Sequence, residues 1–190
     1  MDDERHFARP ICIPKLDDTS VQSRPLRRQS VALSSWWPRS GVPNALWAIE
    51  HPSGNTVFCE LPKMIAPGHI FESGPVYLLL GEHWNRHRGY GAVHILEGHW
   101  KEIKLSRKAL SQGNVTAVSA FVARGLTRRA KIHCESASMR GKHKPIVVVK
   151  GGNGSVVLEP MVDRSTREFY YSVVTAFRDA NAKGPAIGTL

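Results

Sequence analysis

Between Pro145 and Phe177 the chain carries three apolar runs, PIVVVK, SVVLEPMV and EFYYSVVTAF, with very short connections between them. GGNG at 151–154 makes a tight turn between the first and second, and Asp163–Arg167 turns the second into the third. Strands joined by so few residues have no room for a crossover, so they must pair antiparallel as a meander. KIHCESAS, from Lys131, reads as another strand just before them. Whatever else this chain does, its last third has to build a sheet.

The preceding segments read differently. Pro75–Leu80 (PVYLLL) is expected as a strand ending at Gly81. Gly91–Ile103 is expected as a helix with Val93, Leu96, Trp100 and Ile103 along one face. A second helix is expected from an Asn114 N-cap to about Ala130, burying Val115, Val118, Val122 and Leu126. Arg124, Arg128 and Lys131 would then form a basic strip on its solvated side. Helices followed by an antiparallel sheet give an α+β fold, two helices packed on a small antiparallel β-sheet, over residues 74–178. Ahead of it, 45–73 reads as a β-hairpin preface turning at His51–Asn55, with Trp47, Ile49, Val57 and Cys59 inward. Residues 1–44 hold prolines at 10, 14, 25, 38 and 43 with mixed charge, and read as an extended or disordered arm. Trp36 and Trp37 are its apolar exception, available to dock on the core or on a partner, and 179–190 reads as a loose tail.

Charge narrows the partner. Residues 1–73 hold eight Lys/Arg and eight Asp/Glu, whereas 74–190 hold eighteen and eight, so the whole net charge of +10 sits in the second part. Such an excess attracts polyanions by counterion release, and RNA or another nucleic acid is the expected partner. No apolar run approaches the roughly 18 residues of a membrane span, so no membrane partner is expected. MDDERHFARP has no apolar signal core, so the expected place is the cytoplasm, or a target cell reached without a cleaved signal peptide. Cys12, Cys59 and Cys134 are odd in number and far apart, with no CxxC pair, and read as reduced bystanders.

Four of the nine histidines fall in residues 81–101, GEHWNRHRGYGAVHILEGHWK. A helical zinc site wants imidazoles four apart. His94 and His99 are five apart, about 140° around a helix. His83 and His87 have the spacing, but Gly89 and Gly91 mark their surroundings as loop, and no HExxH occurs. No metal and no cofactor is expected. Histidine also moves protons near neutrality, and RNA cleavage by the 2′-OH needs a base, an acid and donors around the phosphorus. His94 falls in the first turn of its helix, where unpaired N–H groups favour an anion. Arg86 and Arg88 are nearby cations, and Trp84, Tyr90 and Trp100 are available for base stacking. On the last strand, alternation puts Tyr171 and Thr175 on one face as its polar members.

Taken in order, a strand ending in GEH, the Gly89-Tyr90-Gly91 approach, a helix opening His94-Ile95-Leu96 with His99 after it, and a closing YSVVTAF strand resemble the phage- and toxin-associated nucleases of the barnase, EndoU, colicin D and RelE group. The resemblance covers roughly 74–178 and implies a barnase-like ribonuclease fold. It also implies a metal-independent endoribonuclease that leaves 2′,3′-cyclic phosphate ends. By that resemblance His94 is the first acid–base residue and His99 the second, Thr175 and Tyr171 contact the scissile phosphate, and Lys150 or Arg164 assists, with His83, Arg86 and Arg88 on the RNA. A toxin of this kind implies an acidic immunity or antitoxin protein; oligomeric state is not indicated. The rival readings are a non-catalytic nucleic-acid-binding or virion-associated protein on the same basic fold, and a histidine-rich metal-binding module.

Overall fold

The computed structural model describes residues 22–23, 44–85, 88–105, 109–139, 142–178 and 183–190. The expected arm, 1–44, lies almost wholly outside them. Within the described residues the protein is mostly β, which corrects the expectation of two helices on a small antiparallel sheet. Its main sheet follows a path of seven strands and curls into a half-barrel.

The meander forms as its short connections require. Strands β8 (Lys131–Met139), β9 (Lys142–Gly151), β10 (Gly154–Val162) and β11 (Phe169–Phe177) pair antiparallel in sequence order. The turn after β10 is fixed by Asp163, whose Oδ1 accepts the backbone N–H of Ser165 at 2.7 Å and its hydroxyl at 2.6 Å. The sheet then grows beyond the meander at both sides. On one side β12 (Ala186–Thr189), from the expected loose tail, pairs antiparallel with β8. On the other, β5 (Gly74–Tyr77) pairs parallel with β11, and β2 (Val57–Leu61) antiparallel with β5. The short β1 (Gln22–Ser23) runs parallel to the far end of β10.

The expected hairpin at 45–73 is also corrected. The turn exists, with His51 N–H donating to the Asn55 carbonyl and Gly54 N–H to that of His51. Its two arms, however, pair with the β5 stretch instead of each other: Val57 lies opposite Tyr77, and Ala48 bridges Leu79. Turn chemistry is local, but an apolar arm pairs wherever the larger buried surface lies. Two small hairpins complete the β structure: β3 (Met64–Ala66) with β4 (His69–Phe71), and β6 (Glu82–Asn85) with β7 (Arg88–Tyr90). The second of these replaces the loop expected around Gly89.

Helix α1 spans Gly91–His99 and packs chiefly on β11, ending four residues earlier than its apolar periodicity predicts. Helix α2 spans Gln112–Gly125. Its N-cap is Ser111, whose hydroxyl accepts the N–H of Asn114, while the Asn114 side chain donates to the Ala109 carbonyl. Val115, Val118, Val122 and Leu126 are buried, as the helical period requires. They meet Ile95 and Leu96 of α1 and the inward row of the sheet: Ile132, Val147, Val149, Val156, Leu158, Val173 and Ala176.

Candidate functional site

Two links set the geometry around α1. Its first-turn N–H groups at Ala92 and Val93 donate to the carbonyls of Leu79 and Leu80, both at 2.9 Å. The expectation that this turn presents unpaired donors to an anion is therefore corrected: the extended backbone after β5 already takes two of them. The other link is the β6–β7 hairpin, which closes over His94. Gly89, opposite His83 in the hairpin, has φ +155, and a Cβ there would stand 2.5 Å from the His94 Nδ1. Only glycine lets the hairpin backbone lie this close to the imidazole.

His94 is 8% exposed, and its Nδ1 lies 3.0 Å from the Nδ1 of His83, the rings stacked with centroids 5.1 Å apart. Such a bond needs one ring to donate and the other to accept, so both cannot be imidazolium at once. Burial pushes the His94 pKa down to about 4, helped by the charges of His83 and His99. The neutral ring is thus the folded form. Because the folded pKa lies below the ordinary 6.5, the unfolded chain binds more protons between those values. The His94 contribution to stability is whole above about pH 6.5 and shrinks as pH falls towards 4, by on the order of 2–3 kcal/mol. Urea unfolding at pH 7.5, 5.5 and 4 should show this decline in the wild type and a flatter one in His94→Gln. Parallel curves would refute it.

His99, one turn further on, is organised differently. Its Nδ1 lies 2.7 Å from the Glu102 Oε1, three residues ahead, and the Glu102 Oε2 accepts the backbone N–H of Arg178 at 2.9 Å. One carboxylate therefore ties α1 to the end of β11 and fixes the imidazole tautomer, with Nδ1–H donating. The other ring nitrogen has no partner among the described residues. The ring centroid lies 5.8 Å from that of Phe177, the two planes tilted by 33°. Glu102 was missed in the sequence, although its i+3 spacing from His99 was a usable signal.

Of the other expected residues, Thr175 lies two positions before Phe177, with its hydroxyl oxygen buried and unpartnered. It does not share a face with Tyr171. The register skips Val174, since Val157 faces Thr175 and Leu158 faces Val173. This bulge reverses the alternation, and Ala176 joins Tyr171 and Val173 in the core. Tyr171 is fully buried, and its hydroxyl donates to the Glu72 carbonyl at 2.7 Å; burial also pushes its pKa up. Tyr171→Phe should cost about 1–2 kcal/mol by leaving that carbonyl short of a donor, read as a lower urea midpoint. Arg88 is exposed on β7, and Arg164 sits in the β10–β11 turn, at the opposite end of β11 from Phe177. Lys150 lines a separate cleft beyond β10. Arg86 and His87 lie outside the described residues. The Cys59 thiol is pushed up to about 12 by burial, and that of Cys134 is raised, so neither is poised as a nucleophile.

No family model, curated protein or solved structure matches this chain. What the site can do must come from its own chemistry. It holds a neutral imidazole on a histidine partner and a carboxylate-oriented imidazole on the same short helix. Among the described residues no three His, Cys, Asp or Glu side chains converge as a metal-ligand group, and no helix is long and apolar enough to cross a membrane.

Proposed function

We propose that the protein is a metal-independent endoribonuclease. The observation that carries this reading is the Glu102 carboxylate, which holds both the His99 imidazole and the Arg178 backbone, next to a second imidazole kept neutral. A base and an acid of different character on one helix suit a reaction that removes one proton and returns another. In this reading the His83–His94 pair takes the proton of a ribose 2′-OH. The 2′-oxygen attacks phosphorus, the bond to the 5′-oxygen breaks, and His99 as imidazolium, balanced by Glu102, protonates the leaving oxygen. The products are a 2′,3′-cyclic phosphate and a 5′-hydroxyl. The motif resemblance, over roughly residues 74–178, to phage- and toxin-associated nucleases supports the same chemistry, and an acidic neutralising protein would suit the net charge of +10.

The rival is a nucleic-acid binder without catalysis, favoured by the basic cleft around Lys150, which needs no histidine. Purified protein incubated with total RNA in excess chelator separates the two. Fragments with cyclic-phosphate and 5′-hydroxyl ends are expected. RNA that shifts in a gel but stays intact would remove the enzyme reading, and cleavage only after adding a divalent ion would remove the proton-transfer scheme.

A further inference from the structure

On the outward face of the main sheet, the residues paired across β11, β10, β9 and β8 form one row: Phe177, Ser155, Lys150 and Lys131. Cross-strand partners point to the same side, and three strand spacings of about 4.8 Å put Lys131 roughly 14 Å from Phe177. Phe177 touches the His99 ring at one end of this row. At the other end, Lys131 and Lys150 line a cleft of about 430 Å³ together with Arg128 and Arg129. A second cleft, of about 330 Å³, is lined by Arg124 and Arg178 and shares Gly152 with the first. Arg178 is the residue whose backbone Glu102 holds, so the second cleft begins where the histidine site ends.

The charge here is uncompensated. No carboxylate lines either cleft, and none of these six Lys and Arg side chains has an ion pair among the described residues. Lys131 and Lys150 stand directly opposite each other, a like-charge pairing that weakens a sheet. Arg129 adopts φ 71, an unfavourable backbone for a side-chain-bearing residue, held by its N–H donating to the Leu190 carbonyl at 2.8 Å. A free protein gains nothing from this concentration of cations; an anion running through it removes the repulsion. Two adjoining clefts call for an extended anion with charges at intervals, and no single phosphate spans them.

We infer that the two clefts form one groove for a phosphodiester strand, running from the His99–Phe177 contact past Arg178 and Arg124 to Arg128, Arg129, Lys131 and Lys150. The occupant is single-stranded RNA, held by its backbone on one side of the bond to be cut. The cations track phosphates and read no sequence, so binding falls steeply with salt. This rests on the ribonuclease reading for the identity of the strand, but its test does not need turnover.

The test uses full-length protein carrying His99→Ala, so that RNA stays intact, and a labelled single-stranded RNA titrated across salt concentrations. Adding Arg128→Ala, Arg129→Ala and Lys131→Ala should weaken binding and make the slope of log affinity against log salt shallower by about 2, since each lost phosphate contact on a single strand removes about 0.7. The exposed Lys63, which pairs with Glu72 at 3.0 Å, is the control; Lys63→Ala should leave the slope unchanged. Charge reversal with Arg128→Glu and Lys131→Glu, checked for native thermal unfolding, guards against a silent truncation. An unchanged slope in both sets of variants overturns the groove. So does an acidic polypeptide that competes at equal charge concentration while RNA affinity is untouched by the variants, or binding of inorganic phosphate alone. If the slope falls as expected and the wild type cleaves no RNA, the groove stands and the ribonuclease reading fails.

Discussion

Replacing His99 by Ala is expected to lower RNA cleavage by about 10²–10⁴-fold, the usual contribution of a positioned acid or base. Glu102→Gln should lower it less, because an amide oxygen can still accept Nδ1–H while losing the charge that balances an imidazolium. The pair has a second signature. Glu102 also accepts the Arg178 N–H at 2.9 Å, so a purely structural role would appear as lost stability at unchanged pH dependence. A proton-transfer role instead changes the alkaline limb of the pH–rate profile, the limb that a general acid controls, while urea unfolding at pH 7.5 stays close to wild type. Cleavage by His99→Ala within a few-fold of wild type would remove this imidazole from the mechanism.

Gly81→Ala is expected to cost on the order of 3–5 kcal/mol, at the top of the range for single substitutions, and to take the site with it. Gly81 has φ +74, and a Cβ there would lie 1.9 Å from the Tyr90 carbonyl oxygen and 2.8 Å from the Gly91 Cα. That contact joins the backbone after β5 to the start of α1, with Gly81 N–H donating to the Ala45 carbonyl on the other side. A side chain must push the β6–β7 hairpin off His94 or break this crossing. For a chain of 190 residues the loss corresponds to a fall in Tm of about 10 °C. Gly98→Ala is the matched control: the position is exposed within α1 with nothing within 4 Å of its would-be Cβ, so helix propensity alone should raise stability by about 0.5–1 kcal/mol. Equal effects at the two glycines would refute the steric account.

Several features were legible because their causes are local. The β9–β10 and β10–β11 turns, the buried stripe Val115–Val118–Val122 and the start of α1 at Gly91 follow from turn residues and from periods of two and 3.6. His94 and His99 were visible as candidates for the same reason. The wider architecture was not. Nothing near Leu78–Leu80 tells the chain that Trp47 and Ile49 will lie beside it, or that β5 will pair parallel with β11 from almost a hundred residues away. The Val174 bulge, which turns Thr175 away from the Tyr171 face, depends on the partner strand and leaves no mark on a strand read alone.

The sequence by itself therefore determined an antiparallel meander, a positive second part, and a short helix carrying two histidines, since each is decided by composition or by neighbours along the chain. Tertiary structure alone decided that His83 would meet His94, that Glu102 would bind the end of β11, and that Lys131 and Lys150 would share a row with Phe177. Those contacts form because burying the apolar faces of both helices and seven strands on one curled sheet outweighs local preference, and polar side chains are carried to wherever that packing leaves them.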